Sequence, residues 1–354
     1  MNTVRPVYID RIAHVSALGL SAAEVAESLL AGKKNLSEYR LLGESWPWFA
    51  LPIEEEGWTA RTRRALGLLV DEFTAGGCPD SLHNLPLFIG SSTNGIGEIE
   101  TLTRIAGVLD PSHNDTVIFD REIRSAFGCK AVPWMFSTAC TSGLAALEAA
   151  FTLIACGEID EALVLGVDFG SNTTLAGFSS LNLLARTEEG SGLILGEAAA
   201  GLRLTAQSGQ AWRIAACRLC IDGYAPTLPT PDGRVIAANI TAALDESGLA
   251  AHSIDLVKPH RSGLSGIDEA EKAALDLVFG SRRPLEINFK RRIGHTLGAS
   301  GPAELTALLA LVDMPAWQAC HGLLPHRLLL NFIGFGGSTA ALIVERCPDP
   351  GACT

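Results

Sequence analysis

Phe136-Ser-Thr-Ala-Cys-Thr-Ser-Gly143, continued by Leu144-Ala-Ala-Leu-Glu-Ala-Ala-Phe-Thr-Leu-Ile-Ala-Cys156, passes from a short apolar run through small residues into a helix. From Thr141 to Cys156 the apolar side chains occur all round the cylinder rather than on one stripe, so this helix must be enclosed. A second helix of the same kind, Pro302 to Val312, lies far along the chain. Around the pair run short apolar segments, among them Leu87 to Ile89, Ala162 to Gly166 and Ile254 to Val257, that suit strands covered on both faces. Two enclosed helices with sheets on either side predict an α/β fold in layers, α/β/α/β/α, and their spacing suggests two pseudo-duplicated halves. The polar, Gly-containing region 206–212 marks the junction, giving halves 1–205 and 206–354. At the start, Val4 to Ile12 alternates like a strand, and Ser21 with Glu24 forms a capping box that opens a helix closed by Gly32.

The 354 residues are 47% hydrophobic and 19% charged, which excludes a disordered chain and a coiled coil. A formal charge of −12 has the wrong sign for nucleic acid, which is not an expected partner. Nine cysteines without a repeating spacing make no disulfide framework, and Met1 to Asp10 lacks the apolar core of a signal peptide, so a cytoplasmic protein is expected. Leu144 to Cys156 and Leu297 to Val312 carry Glu148 and Glu304 and are short against the ~30 Å of a bilayer core, so no membrane span is expected. Cys217-Arg-Leu-Cys220 has a metal-like spacing but no second pair or His partner, and reads as strand filling. No metal and no cofactor are expected.

Four segments carry chemistry-bearing residues. Cys140 lies at a strand-to-helix elbow, where a helix N-terminus and free backbone N–H groups favour thiolate over thiol. On this segment alone a buried structural Cys is an equal alternative. Lys258-Pro-His260 ends a strand and leads through a polar loop to a helix containing Asp268 and Glu271. Lys290-Arg-Arg-Ile-Gly-His295 precedes the second enclosed helix, which contains Glu304. Asn331-Phe-Ile-Gly-Phe-Gly-Gly-Ser338 is a Gly-rich turn before the last strand; it lacks the ending of a P-loop, and its N–H groups suit an oxyanion hole.

In this order the four segments resemble the β-ketoacyl-acyl-carrier-protein synthases, the type I/II condensing enzymes of the thiolase superfamily. Thr138 to Gly143 looks like the nucleophile motif, His260 like the first active-site His, Lys290 to His295 like the Lys-x-x-x-Gly-His motif, and Asn331 to Gly337 like the Asn-x-Phe-Gly-Phe-Gly-Gly motif. The resemblance covers nearly the whole chain and implies the thiolase fold and an obligate dimer. It also implies an acyltransferase of fatty acid or polyketide biosynthesis that condenses malonyl carrier protein, with loss of CO₂, onto an acyl group held by Cys140. By the same resemblance the N–H groups of Cys140 and Phe335 hold the oxyanion, and Phe335 gates the site. His260 and His295 donate to the malonyl thioester carbonyl. Lys290 orients them through Asp268, Glu271 and Glu304.

The chain departs from the family in places. The first-His loop usually reads His-Gly-Thr-x-Thr, its hydroxyls holding the pantetheine arm; here Arg261, Ser262 and Leu264 stand there, and Ser262 replaces one hydroxyl. The stretch from Gly32 to Gly90 is lean where the family's cap and dimer segments are usually longer, and the chain resembles short, divergent members from polyene-type clusters, which need a second ketosynthase. The expected partners are an acidic acyl carrier protein, docking on Arg61, Arg63 and Arg64, and a second subunit, either a copy of the chain or another ketosynthase. The alternative function is a chain-length factor, a ketosynthase-like subunit that shapes a partner's acyl tunnel. A degradative thiolase is disfavoured, because that group uses a second Cys where this chain has Phe335-Gly-Gly.

Overall fold

A computed structural model describes residues 4–348; the first three residues of the amino-terminal stretch and the last six of the 206–354 half lie outside it. The first half runs β1 (Val7–Ser16), α1 (Ala22–Leu30), β2 (Ser37–Leu41), β3 (Glu44–Phe49), α2 (Trp58–Thr74), β4 (Leu87–Gly90), α3 (Ile96–Ala106), α4 (Asp115–Phe127), β5 (Trp134–Phe136), α5 (Ser142–Cys156), β6 (Glu161–Asp168), α6 (Asn172–Ser180), β7 (Leu195–Gly196) and β8 (Ala198–Thr205). The second runs β9 (Trp212–Ile221), α7 (Arg234–Ser247), β10 (Leu256–Lys258), α8 (Ser265–Phe279), β11 (Leu285–Glu286), α9 (Lys290–Ile293), α10 (Ser300–Val312), α11 (Pro315–His321), β12 (Arg327–Gly334) and β13 (Ser338–Arg346). The Ser21 half of the capping box holds, its hydroxyl accepting from the Glu24 N–H, while the Glu24 carboxylate accepts from the N–H of Leu20 rather than of Ser21.

Strand alternation builds the layers. Along β6, Ala162 and Val164 face the central helices, packing with Leu147 and Ile154 of α5 and with Leu305 and Leu308 of α10. Leu163, Leu165 and Val167 face the other way, onto Leu66 and Phe73 of α2 and Phe119 of α4. β13 divides likewise: Ala340, Leu342 and Val344 point to the centre, while Ala341 and Ile343 meet Ile236 and Ile240 of α7 and Ala274 of α8. Outer helices, sheet, α5 with α10, sheet and outer helices are the five layers of the thiolase fold. The two half-sheets are not separate, however. β1 pairs with both β8 and β9, joining them into one ten-stranded sheet in the order β11-β10-β12-β13-β9-β1-β8-β6-β4-β5. The segment Ala139–Cys156 is long and apolar enough to cross a membrane by composition, but it is 67% buried as an interior helix.

The two central helices touch at their first turns, and this contact positions the site. A Cβ on Gly301 would fall 1.7 Å from Cδ2 of Leu144, so only glycine permits this approach. The loop before α5 carries Cys140; the loop before α10 carries His295.

Candidate active site

Cys140 sits in a turn closed almost wholly by its neighbours. Ala139 takes a left-handed φ of 53°, and the Ser142 hydroxyl accepts from the Thr138 N–H while donating to the Ala139 carbonyl. The Thr141 hydroxyl reaches 2.9 Å to that of Ser338, tying the elbow to the turn between β12 and β13. Two main-chain N–H groups, its own and that of Phe335, act on the sulfur as hydrogen-bond donors that favour its anion. Cys140 is 5% exposed, yet it lines a cavity of about 520 Å³ with Phe335, Phe178, Leu181 and Leu297. Phe335 is half-buried and its ring lies 5.8 Å from that of Phe178 on α6.

The protonation state corrects the expectation of a thiolate. Burial pushes the Cys140 thiol up to about 11; the Lys290 ammonium and the two N–H groups pull it down, and Asp168 pushes it up again. Desolvation of the anion outweighs the ammonium and the two N–H groups here. Asp168, not singled out by the sequence, is 1% exposed and accepts from the Ser91 hydroxyl and from both N–H and hydroxyl of Ser92 and Thr93. It thereby fixes the turn after β4, whose Ser92 and Thr93 form one wall of the cavity.

On the other side of the site, the His260 and His295 rings meet edge to face at 5.5 Å, both buried. Their pKa values lie well below the usual imidazole range, first because of burial and then because of the Lys290 and Lys258 ammonium groups. Both rings are therefore neutral at physiological pH. The Ser300 hydroxyl lies 3.2 Å from Nδ1 of His295, and the His295 main chain is held by Ile194 and Gly196. Nδ1 of His260 has no hydrogen-bond partner among the described residues.

The carboxylates divide their work differently from the expected single network. Lys290 pairs with Glu304, but neither Asp268 nor Glu271 touches it. Glu271 accepts from the N–H groups of His260 (2.5 Å) and Arg261 (2.9 Å) and from Nδ2 of Asn331 (2.6 Å). Asp268 accepts from the N–H groups of Ser262 and Gly263 and from the Ser262 hydroxyl. These two thus shape the loop after β10, and burial pushes the Glu271 carboxyl up. Ser262 lines a cavity of about 390 Å³ with Arg261, Gly263, Lys290 and Arg291, but its hydroxyl is already used: it donates to Asp268 and accepts from the Leu264 N–H. Arg261, where the family has Gly, keeps a left-handed φ of 40°.

The expected docking arginines are all paired. Arg61 is turned inward, bonding both oxygens of the buried Glu197, which also accepts from the N–H groups of Leu51 and Gly170. Arg63 pairs with the buried Glu122 at 2.6 Å, and Arg64 lies 3.9 Å from Glu55. Of the three cations on α2, Arg61 is drawn onto the buried Glu197, while the side chains of Arg63 and Arg64 remain 63% and 49% exposed beside their carboxylates.

Comparison with known proteins agrees with this arrangement. Residues 74–208 match the family profile described as Beta-ketoacyl synthase, N-terminal domain, and residues 212–320 match the C-terminal domain of the same family. A 3-oxoacyl-[acyl-carrier-protein] synthase 2 of Mycobacterium tuberculosis is 30% identical over 198 residues, covering 50% of this chain and 48% of the relative. The tetracenomycin polyketide synthase ketoacyl synthase alpha subunit of Streptomyces glaucescens is 29% identical over 228 residues, 58% of this chain and 52% of the relative. The matched stretch thus spans about half the length of these curated relatives. Among solved structures, a ketosynthase in complex with its chain length factor from Xenorhabdus doucetiae superposes with a TM-score of 0.82 at 23% identity, covering 97% of this chain and 98% of that one.

Proposed function

The chain belongs to the β-ketoacyl synthase family, and from that premise we propose that it is an acyltransferase joining an acyl group on Cys140 to a malonyl unit, both delivered by an acyl carrier protein. One observation carries the reading: the Lys290 ammonium acts both on a cavity-lining sulfur, which the N–H groups of Cys140 and Phe335 also stabilise, and on two neutral imidazoles that meet edge to face. Cys140 attacks the incoming thioester; the C–S bond to the carrier breaks, a new one to Cys140 forms, and the carrier thiol leaves with a proton. Because burial keeps Cys140 protonated at rest, its proton departs during this step. The two N–H groups hold the oxygen as it becomes negative.

In the second step the malonyl C–C bond to the carboxylate breaks, CO₂ leaves, and the electron pair delocalises onto the thioester oxygen. Nε2–H groups of His260 and His295 stabilise that oxygen, each worth a few kcal/mol. With the Ser300 hydroxyl 3.2 Å from Nδ1 of His295, the tautomer in which that hydroxyl is the donor is the one that carries the ring proton on Nε2. The carbanion then attacks the acyl carbon, and Cys140 leaves. Phe335, resting against Phe178 in a turn with Gly334, Gly336 and Gly337 around it, opens and closes the cavity. The pantetheine arm enters along the cavity beside Ser262.

A second subunit completes the assembly. β5 ends the large sheet with a free edge, and Val132 and Trp134 beside it are 70% and 58% exposed. Such an edge fits a second copy or another ketosynthase. We further propose the halves 1–205 and 206–354, supported by the end of β8 at Thr205 and the start of β9 at Trp212, and a cytoplasmic location. The test is turnover: the purified chain, alone and with a partner ketosynthase, is given acyl- and malonyl-carrier protein. Release of CO₂ with a carrier-bound product two carbons longer is expected; extension that survives Cys140→Ala in the presence of the partner would assign this chain to the chain-length-factor role instead.

A further inference from the structure

Lys258, at the end of β10, has no exposed surface and no role in the steps above. Its ammonium lies 2.7 Å from Oε2 of Glu304 on α10, donates at 2.9 Å to the Asn331 carbonyl on β12, and sits 3.4 Å over the Phe332 ring. The other oxygen of Glu304, Oε1, accepts from Lys290. Each active-site imidazole thus has a lysine just before it in the chain, Lys258 before His260 and Lys290 before His295. Both lysines end on the same carboxylate. We propose that Lys258 is the positioning residue of His260, as Lys290 is of His295, the two ammonium groups sharing Glu304. This rests on the reading above.

The chemistry of the cluster says why a buried cation stands here. A lysine removed from water costs several kcal/mol unless it is paired and fully hydrogen-bonded. Lys258 answers that demand with one ion pair, one hydrogen bond to a carbonyl and one ring face, drawn from α10 and β12. Those elements also carry the rest of the site: α10 follows His295, and β12 leads into the Phe335 turn. The side chain therefore locks the end of β10, and His260 two residues on, to both. The charged and titratable groups acting on Lys258 are Glu304 from α10, Lys290 from α9 and Glu271 from α8. Glu271 spends its own hydrogen bonds on His260, Arg261 and Asn331, so Glu304 alone directly pairs two ammonium ions. Each of the two ammonium groups helps keep both imidazoles neutral.

The arrangement has a pH signature. Burial, with Lys290 adding to it, lowers the Lys258 ammonium to about 8 against the opposing pull of Glu304 and Glu271. A lowered lysine keeps its charge below that value and loses it above. The clamp on His260 accordingly weakens as pH rises through about 8, while Cys140 becomes more reactive over the same range.

The test compares the full chain with Lys258→Met and with Lys258→Gln, which keeps a donor for Asn331 if the methionine variant fails to fold. Two steps are read separately: acylation of Cys140 from acyl-carrier protein by intact mass, and CO₂ release from malonyl-carrier protein between about pH 6 and 9.5. Acylation is expected to change by no more than about twofold and decarboxylation to fall roughly tenfold or more, with the wild-type decline above pH 8 abolished. Equal loss of both steps with a lowered melting temperature, or a decarboxylation profile unchanged from wild type, would overturn the proposal. Should the wild type show neither step, the reading under Proposed function fails; the His260 ring in a crystal of Lys258→Gln then decides, a turned ring supporting the lysine's role and an unmoved ring refuting it.

Discussion

The two central helices begin from loops that do opposite things. At the start of α5 the working parts are main chain: a left-handed Ala139, a turn closed by Ser142 and Thr141, and N–H groups that act on a sulfur. At the start of α10 the working parts are ionisable side chains: Glu304 buried between Lys258 and Lys290, and two neutral imidazoles beside them. A site made from backbone depends on small residues and tight approach, and its geometry survives changes of charge. A site made from paired charges depends on every partner being present, because any one left alone in the interior is expensive.

The largest expected effect tests the second half of that contrast. Glu304→Gln leaves two buried ammonium groups without their shared carboxylate, and should cost about 3–5 kcal/mol of stability measured by denaturant unfolding. A loss below about 1 kcal/mol would show that Asn331 and the Phe332 ring suffice for Lys258. The smaller effect belongs to the first half. Gly301→Ala drives a methyl into Leu144 where the helices cross, and should cost about 1–3 kcal/mol while leaving the Glu304 pairs intact.

The contrast also explains what the sequence conveyed. The enclosed helices, the layers and the Cys140 elbow are written in local runs of residues, and the structure places them where the pattern indicated, within two residues at the helix starts. Pairings across the chain are not local. In the sequence Arg61 reads as surface charge because nothing near it reveals Glu197, and the family resemblance gives Lys290 three carboxylates where one, Glu304, receives it. Lys258 stood in view beside His260, yet only the fold brings Glu304 to it. The helix terminus just after Cys140 is legible in the sequence, but its effect on the thiol depends on how deeply the elbow is buried, a property of the whole molecule.

A milder test sharpens the same point. Only thiolate is alkylated, so with Cys140 raised to about 11 its alkylation rate should climb about tenfold per pH unit across the neutral range. A rate already flat above pH 7 would mean that the backbone N–H groups outweigh burial after all.

The most direct measurement is the intact mass of the chain after incubation with acyl-carrier protein, for wild type, Cys140→Ala and His295→Ala. One added acyl group on wild type, none on Cys140→Ala, and an adduct on His295→Ala that no longer advances when malonyl-carrier protein is added is the predicted result. An adduct that persists on Cys140→Ala, or that disappears from a folded His295→Ala, would contradict the division of labour between the two helix starts.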